Sequence, residues 1–383
     1  MPDHMPEDLS AVGRDLRAFT DELRSQHAVV KNNLGEWVLL RHKDVVAAAK
    51  DDSRFSSAVS RFLQIPNGLD GEEHSRYRAL IDTFLTPAAL QPFVPVFEEI
   101  AAELVQELMQ QKGPIDAVND LGAVFAVRAQ CAWLGWPSHL EQPLLQWMKN
   151  NHAATRSGSD DEKAKVAQDF DNMIKAALEH TAQKQEALSV TQKLQQACLD
   201  GRLLTEAEVV SILRNWTGGD LGSMALCIGV LVAYLVQAKE TNPHLFSEIA
   251  EFSLQQQEQF INEVLRIDCP FVSNRRVTRS PVHVAGVHIP AGARVKLNWT
   301  SANRDESVFA KNEFDPKGHA ANNLVYGVGK HVCPGQVLAT WQLRIVLMQL
   351  IRQTPQLRAD DSLQCIREVA PLGGYERVPV HFI

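Results

Sequence analysis

The chain has 383 residues, 45% hydrophobic and 22% charged, a balance that is ordinary for a globular protein and enough to bury a large core. Its formal net charge of −8 excludes a general nucleic-acid binder, which needs a basic balance. Even the closest pair of its six cysteines, Cys198 and Cys227, is too widely spaced for the Cys-x-x-Cys pattern of zinc or iron–sulfur sites.

The opening run Met1-Pro2-Asp3-His4-Met5-Pro6-Glu7-Asp8 is acidic and lacks the apolar stretch of a signal peptide or anchor. The most apolar segment, Met224 to Val236, is too short to span a bilayer, so a cytoplasmic protein with no membrane partner is expected. The first two thirds of the chain read as mainly helical, with apolar periodicity over Phe97 to Met109 and Val166 to Leu178. Between those two segments, Ser157-Gly158-Ser159-Asp160-Asp161-Glu162 reads as an exposed loop.

Thr205 with Glu208 forms a capping-box pattern, and Leu204 with Val209 supplies a hydrophobic staple. Apolar residues continue to about Val236 before Asn242-Pro243 stops the pattern, which predicts a helix roughly 45 Å long at about 1.5 Å per residue. Inside it lies Thr217-Gly218-Gly219-Asp220-Leu221-Gly222-Ser223. Adjacent glycines in a helix interior cost about 1 kcal/mol each relative to alanine. They serve either to open the backbone beside a ligand or to let another helix cross closely.

After Pro270 the pattern changes: Val282, Val284, Val287, Ile289, Val295 and Leu297 flank the turns Ala285-Gly286 and Pro290-Ala291-Gly292, a small hairpin sheet. Gln336 to Ile351 is apolar on nearly all faces and reads as a buried helix. The expectation is a mainly α protein with a small β region, mainly within 271–300 and the C-terminus, forming a single domain over 1–383.

Directly before the buried helix stands Tyr326-Gly327-Val328-Gly329-Lys330-His331-Val332-Cys333-Pro334-Gly335. Its glycines let the backbone turn tightly against a flat ligand, and Pro334 suits the first turn of a helix. Cys333 then sits at a helix N-terminus, where the dipole and free N–H groups favour a thiolate. Such a thiolate is a strong axial ligand for haem iron. The competing reading is a buried structural cysteine ahead of a helix.

These residues resemble the signature of the cytochrome P-450 family, aromatic-Gly-x-Gly-x-His/Arg-x-Cys-x-Gly, through Tyr326, Gly327, Gly329, His331, Cys333 and Gly335. Tyrosine stands where phenylalanine is commoner. Upstream, Glu263-Val264-Leu265-Arg266 is similar to the family's Glu-x-x-Arg motif, a structural pair one helical turn apart. His74 and Arg78 resemble the family's His-x-x-x-Arg segment, and Arg276 its arginine on the first strand after Pro270. The resemblance implies that all three lie near haem propionates, bound through charge-assisted hydrogen bonds.

The resemblance implies the P-450 fold, with the long central helix crossing haem b (iron protoporphyrin IX) and Cys333 as metal ligand. His74, Arg78, Gly218, Arg276, Tyr326, Gly327, His331 and Gly335 would contact the cofactor. It implies a monooxygenase inserting one oxygen atom from O2 into a small organic substrate. Electrons would come from a ferredoxin or flavodoxin with its reductase, for which Arg76, Lys330 and Arg344 offer a basic patch. Thr217, Gly218, Leu221, Ser223, Val272, Ser273, Asn274, Leu372 and Gly373 occupy substrate-facing positions of the family.

The chain departs from the family at three places. Asp220 holds the acid position on the central helix beside Gly219, but Leu221 holds that of the proton-delivering threonine, and leucine cannot hydrogen-bond. Water ordered by Asp220, a substrate hydroxyl, or Ser223 or Thr217 are the substitutes; a peroxide-driven enzyme or a catalytically silent haem-binding sensor are the alternatives. After Phe314-Asp315-Pro316, Gly318 replaces an arginine that completes a triad with Glu263 and Arg266, leaving Lys317 as the nearest substitute. Asn323 stands where a propionate-binding histidine is common.

Overall fold

The computed structural model describes residues 4–5, 14–182, 189–310 and 313–383. One helix, Glu206–Thr241, organises the rest and is called the central helix below. The Thr205 hydroxyl accepts from the Glu208 N–H at 3.3 Å, and the Glu208 carboxylate accepts from the Thr205 N–H at 2.6 Å. This is the capping box read from the sequence, and it satisfies donors that a helix start leaves orphaned. Glu208 is also held by Arg202 at 2.7 and 2.8 Å and by the Tyr77 hydroxyl, tying the central helix to the helix Gly71–Asp82.

The helix continues past Val236 to Thr241, because nothing before Asn242-Pro243 disfavours helical backbone. By length and composition it is able to cross a membrane, yet most of its most apolar stretch is buried inside the protein. Against it packs a π-helical segment, Ala117–Ala123. A Cβ on Gly122 would stand 2.9 Å from Ala225 Cα, and one on Gly229 2.5 Å from Val118 Cγ2. At Gly122 only glycine allows the two backbones this close, and at Gly229 it makes room for the Val118 side chain.

The helices Glu141–Ser157 and Asp160–Ala182 are joined by Gly158 and Ser159 alone. The loop expected over Ser157 to Glu162 is therefore corrected: Asp160, Asp161 and Glu162 form a first helical turn, where carboxylates favour the positive dipole end. The helix Gln336–Gln353 buries Leu338, Leu343, Val346, Leu347 and Leu350. Gly335 caps it, so Pro334 precedes the helix rather than lying in its first turn.

The β region is wider than expected. A six-stranded sheet runs His4–Met5, Val29–Asn32, Trp37–Leu39, Arg294–Asn298, Ser273–Thr278, Phe55–Ser56, so the N-terminal part of the chain supplies most of its strands. Arg294–Asn298 pairs parallel to Trp37–Leu39 and antiparallel to Ser273–Thr278, placing Val295 opposite both Trp37 and Arg276. The predicted hairpin is present in part: Val284 lies opposite Val287, with Ala285 at φ 50° and Gly286 at φ 82° in left-handed backbone, but Val295 and Leu297 belong to the six-stranded sheet instead. That turn geometry matches the twist of a two-residue hairpin. Near the C-terminus, Pro379–His381 pairs with both Ile115–Asp116 and Arg358–Ala359.

Candidate active site

The cysteine loop is pinned by its own backbone. Cys333 N donates to Tyr326 O at 2.8 Å, and Val332 N to Gly329 O at 3.1 Å. Gly329, at φ 82°, has no room for a side chain: a Cβ would lie 3.0 Å from Ala49 O and 3.3 Å from Lys50 Cα. The Tyr326 hydroxyl is 2.8 Å from Thr340 Oγ1, a partner that phenylalanine would leave unused. Burial pushes the Cys333 thiol up to about 11, against the opposing pull of the Gly335 N–H. A helix N-terminus alone therefore does not ionise it; a coordinated cation would.

Next to the loop lie polar groups without partners. His74 is 2% exposed, and neither ring nitrogen has a hydrogen bond among the described residues. Its ring lies 4.1 Å from that of His331, whose Nε2 is 3.0 Å from Ser57 Oγ. Burial keeps the His331 imidazole down at about 4 and lowers that of His74, so both are uncharged near neutrality. Arg276 is 6% exposed, and its guanidinium donates to the Arg275 carbonyl at 2.8 Å. It forms no ion pair among the described residues, and burial lowers its pKa. The carboxylate nearest in effect, Asp70, already accepts from Arg279 at 2.7 Å. A buried cation beside an orphaned imidazole calls for an anionic partner. Haem propionates fit that requirement.

Arg78 departs from its expected place. Its Nη1 donates to the carbonyls of Val332 at 2.6 Å and Lys330 at 3.2 Å, and its Nε pairs with Asp82 at 2.6 Å. It therefore braces the cysteine loop, leaving Nη2 as the remaining donor. The supposed basic patch is partly neutralised: Arg76 pairs with Asp200 and Lys330 with Asp52, each at 2.7 Å. Arg344 stacks over Trp341.

The Glu263–Arg266 pair is buried, bidentate at 2.7 and 2.8 Å. Its third member is His319, whose Nδ1 lies 2.7 Å from Glu263 Oε1, and not Lys317, which is exposed. Arg266 also donates to Asn303 O at 2.7 Å, and Glu263 accepts from Asp315 N at 3.0 Å. Asn323 donates to Asn262 O at 2.8 Å, which commits it to the same seam rather than to a propionate.

Along the central helix, Leu221 is fully buried, whereas Gly219 is exposed with nothing within 4 Å of a would-be Cβ. Asp220 and Ser223 are half-buried, and residues three apart share a helix face. The open face is thus Gly219, Asp220 and Ser223, and Leu221 belongs to the core. Thr217 is also buried, its hydroxyl accepting from Gln130 Nε2 at 3.2 Å. Gly218 faces Phe170 and Trp147, with a Cβ position 3.3 and 3.6 Å away. Burial with no cation nearby pushes the Asp220 carboxyl up to about 7.

The substrate-facing positions after Pro270 are corrected in part. Val272 is buried with Met5, Val38 and Ala370, and with Ser273 it lines a small pocket on the sheet side. Asn274 is exposed, its Oδ1 accepting from Trp299 Nε1 at 2.6 Å. Leu372 bridges to Phe271, and Gly373 packs on the carbonyls of Cys269 and Pro270.

Buried donors beside His331, two residues before Cys333, with no anionic partner among the described residues, fit the haem-thiolate enzymes. Residues 115–354 match the family model for Cytochrome P450, and the chain belongs to that family. It is similar to the cyclomarin C epoxidase CymV of Salinispora arenicola, 29% identical over 88% of each chain. It is also similar to the erythromycin C-12 hydroxylase of Saccharopolyspora erythraea, 26% identical over 90% of this chain and 88% of that one. Among solved structures, a mutant of P450 EryK in complex with erythromycin B superimposes with a TM-score of 0.84 at 24% identity, covering 99% and 98% of the two chains. Cytochrome P450 CYP109Q5 from Chondromyces apiculatus gives 0.86 at 22% identity, covering 100% and 98%. The fold is the P450 fold, and the chain is a haem-dependent monooxygenase, an oxidoreductase that takes an organic substrate, dioxygen and electrons from redox partners.

Proposed function

We propose that this protein is a cytoplasmic, single-domain monooxygenase. In this reading Cys333 ligates the iron of haem b, and a ferredoxin or flavodoxin with its reductase supplies electrons. The reading is supported by the orphaned nitrogens of His74 and by Arg276, which has no ion pair among the described residues; both groups act on His331, two residues before Cys333. His74, Arg276 and the free Nη2 of Arg78 would hold the propionates, while Gly327, Gly329 and Gly335 keep the loop thin enough for the macrocycle.

When bound, the haem iron supplies the dioxygen activation and oxygen insertion. This chain's own residues control protons and substrate. Asp220, with its carboxyl near 7, takes up and releases a proton close to neutral pH. Ser223 Oγ, on the same open face, relays that proton and orders water along Gly219. This pair takes over the role for which the sequence offered Leu221 no means, and it supports dioxygen rather than peroxide or a silent sensor. The epoxidase and hydroxylases among the relatives act on organic substrates, which supports a small organic molecule here.

The test is the carbon-monoxide difference spectrum of the reduced protein, alone and as Cys333→Ser. A thiolate-type Soret band that disappears in the variant is expected; an imidazole-type band in the parent protein would overturn the reading. Turnover with hydrogen peroxide alone, matching that with a redox chain, would replace it by the peroxide-driven reading.

A further inference from the structure

His152 is a half-buried histidine that the route through Asp220 and Ser223 does not use. It lies on the helix Glu141–Ser157, and its ring reaches the central helix. Its Nε2 is 3.0 Å, and its Cε1 3.9 Å, from where a Cβ on Gly222 would stand. The imidazole thus fills the notch that Gly222 leaves, between Asp220 and Ser223 in sequence and beside the open space over Gly219. Neither ring nitrogen has a hydrogen-bond partner among the described residues.

The charged groups acting on this ring are Glu368, Arg156 and Glu376. Arg156 is already committed, at 2.5 and 3.2 Å to the Glu368 carboxylate and 3.8 Å to Glu376. Acids therefore outnumber cations here, and among the described residues acting on the ring no free cation remains to receive a carboxylate. Burial keeps His152 below the ordinary imidazole value, so at neutral pH it offers one donor and one acceptor. A ring placed only for packing would be served equally by phenylalanine, whose edge leaves no polar atom to satisfy.

We propose that His152 is a specificity-determining residue: its imidazole hydrogen-bonds a hydroxyl or carbonyl of an uncharged substrate and so fixes which part of that molecule lies over Gly219 and Ser223. The inference rests on the monooxygenase reading above and adds to it the substrate class, neutral molecules with a polar group on the side facing the Glu141–Ser157 helix.

The experiment uses the ferric holoenzyme and 4-phenylimidazole, whose nitrogen binds haem iron and shifts the Soret band. Beside it run its ortho-, meta- and para-hydroxyphenyl analogues and a carboxyphenyl analogue. In the parent protein at least one hydroxyphenyl isomer should bind about three- to tenfold tighter than 4-phenylimidazole, the worth of one hydrogen bond. His152→Phe should abolish that preference and His152→Gln should keep part of it, while the carboxyphenyl analogue binds more weakly than the unsubstituted probe throughout. No isomer gaining in the parent protein, a gain that survives in His152→Phe, or tightest binding of the carboxylate would overturn the proposal. His152→Gln keeps a polar side chain, so the comparison stands even if the Phe variant fails to fold. Absence of any Soret shift with 4-phenylimidazole itself would instead bring down the haem reading, and this inference with it.

Discussion

Glu263→Gln tests what holds the cysteine loop in place. The Glu263 carboxylate is 1% exposed and accepts from Arg266 Nε at 2.7 Å, Arg266 Nη2 at 2.8 Å, His319 Nδ1 at 2.7 Å and Asp315 N at 3.0 Å. Glutamine preserves the shape but turns one acceptor into a donor facing donors. It also leaves the Arg266 guanidinium, whose side chain is 4% exposed, without its counter-charge. Breaking a buried pair this way costs about 3–5 kcal/mol, and the individual bonds do not add further to that figure. An exposed pair is the control: Asp361→Ala removes the partner of Arg358 at side-chain exposures of 95% and 50%, and should change stability by less than about 0.5 kcal/mol.

Urea unfolding at pH 7 measures the loss. Haem retention, followed by the Soret band during transfer to a haem scavenger, measures its consequence, because Asp315 and His319 lie in the segment leading to Cys333. Burial alone would raise the Glu263 pKa, but the bonds from Arg266 and His319 outweigh it and hold it below the ordinary carboxylate value. The stabilisation is therefore full above the unfolded carboxylate pKa and lost as pH falls through the lower folded value, so the gap between parent and variant should narrow in acid. A difference under about 1 kcal/mol at pH 7, with haem retention unchanged, would refute this account.

Ser223→Ala should lower product formed per electron by roughly tenfold or more, read as the ratio of product to consumed reductant. Leu221→Thr should not improve that ratio and should cost about 1–3 kcal/mol of stability, because it buries a hydroxyl at a fully buried apolar site; improved coupling would place Leu221 on the open face after all. Gly329→Ala should destabilise by about 2 kcal/mol or more and weaken haem retention, since it adds a strained φ of 82° to a Cβ 3.0 Å from Ala49 O; a thermal melt matching the parent would count against it. Asp15 caps the helix Leu16–Gln26: burial would raise its pKa, but the Arg17 bond and the Arg367 and Arg17 charges bring it to about 2. Asp15→Asn keeps a good cap and removes the charge, so about 1 kcal/mol should be lost above pH 4, with the difference shrinking as pH falls from 4 through 2; a constant difference across that range would contradict the charge assignment.

Features set by neighbours in sequence were legible before the structure. The capping box at Thr205 and Glu208 needs two side chains one turn apart, and the hairpin at Ala285-Gly286 needs two turn residues between alternating valines. The Cys333 loop and the Glu263–Arg266 pair carry their spacing in the chain. The strands Val29–Asn32, Trp37–Leu39 and Phe55–Ser56 were not legible, because segments this short show too little alternation. Trp37–Leu39 and Phe55–Ser56 become strands by pairing with residues near 295 and 278, and Val29–Asn32 by pairing in turn with Trp37–Leu39.

The site departures have the same origin. Leu221 matched the alcohol position by spacing from Asp220, but burial decides which helix face is open, and that face carries Ser223 instead. Gly318 marked a missing arginine, and its neighbour Lys317 was the substitute nearest in sequence. The reason for glycine lies in Asp315, which turns back to accept from the Gly318 N–H at 2.8 Å and places Oδ2 2.0 Å from where a Cβ would stand. A side chain at 318 would push the Asp315 carboxylate out of that position and cost the bond from the residue-318 N–H. The chain therefore completes the triad from the next position, with His319 directed inward where Lys317 is exposed.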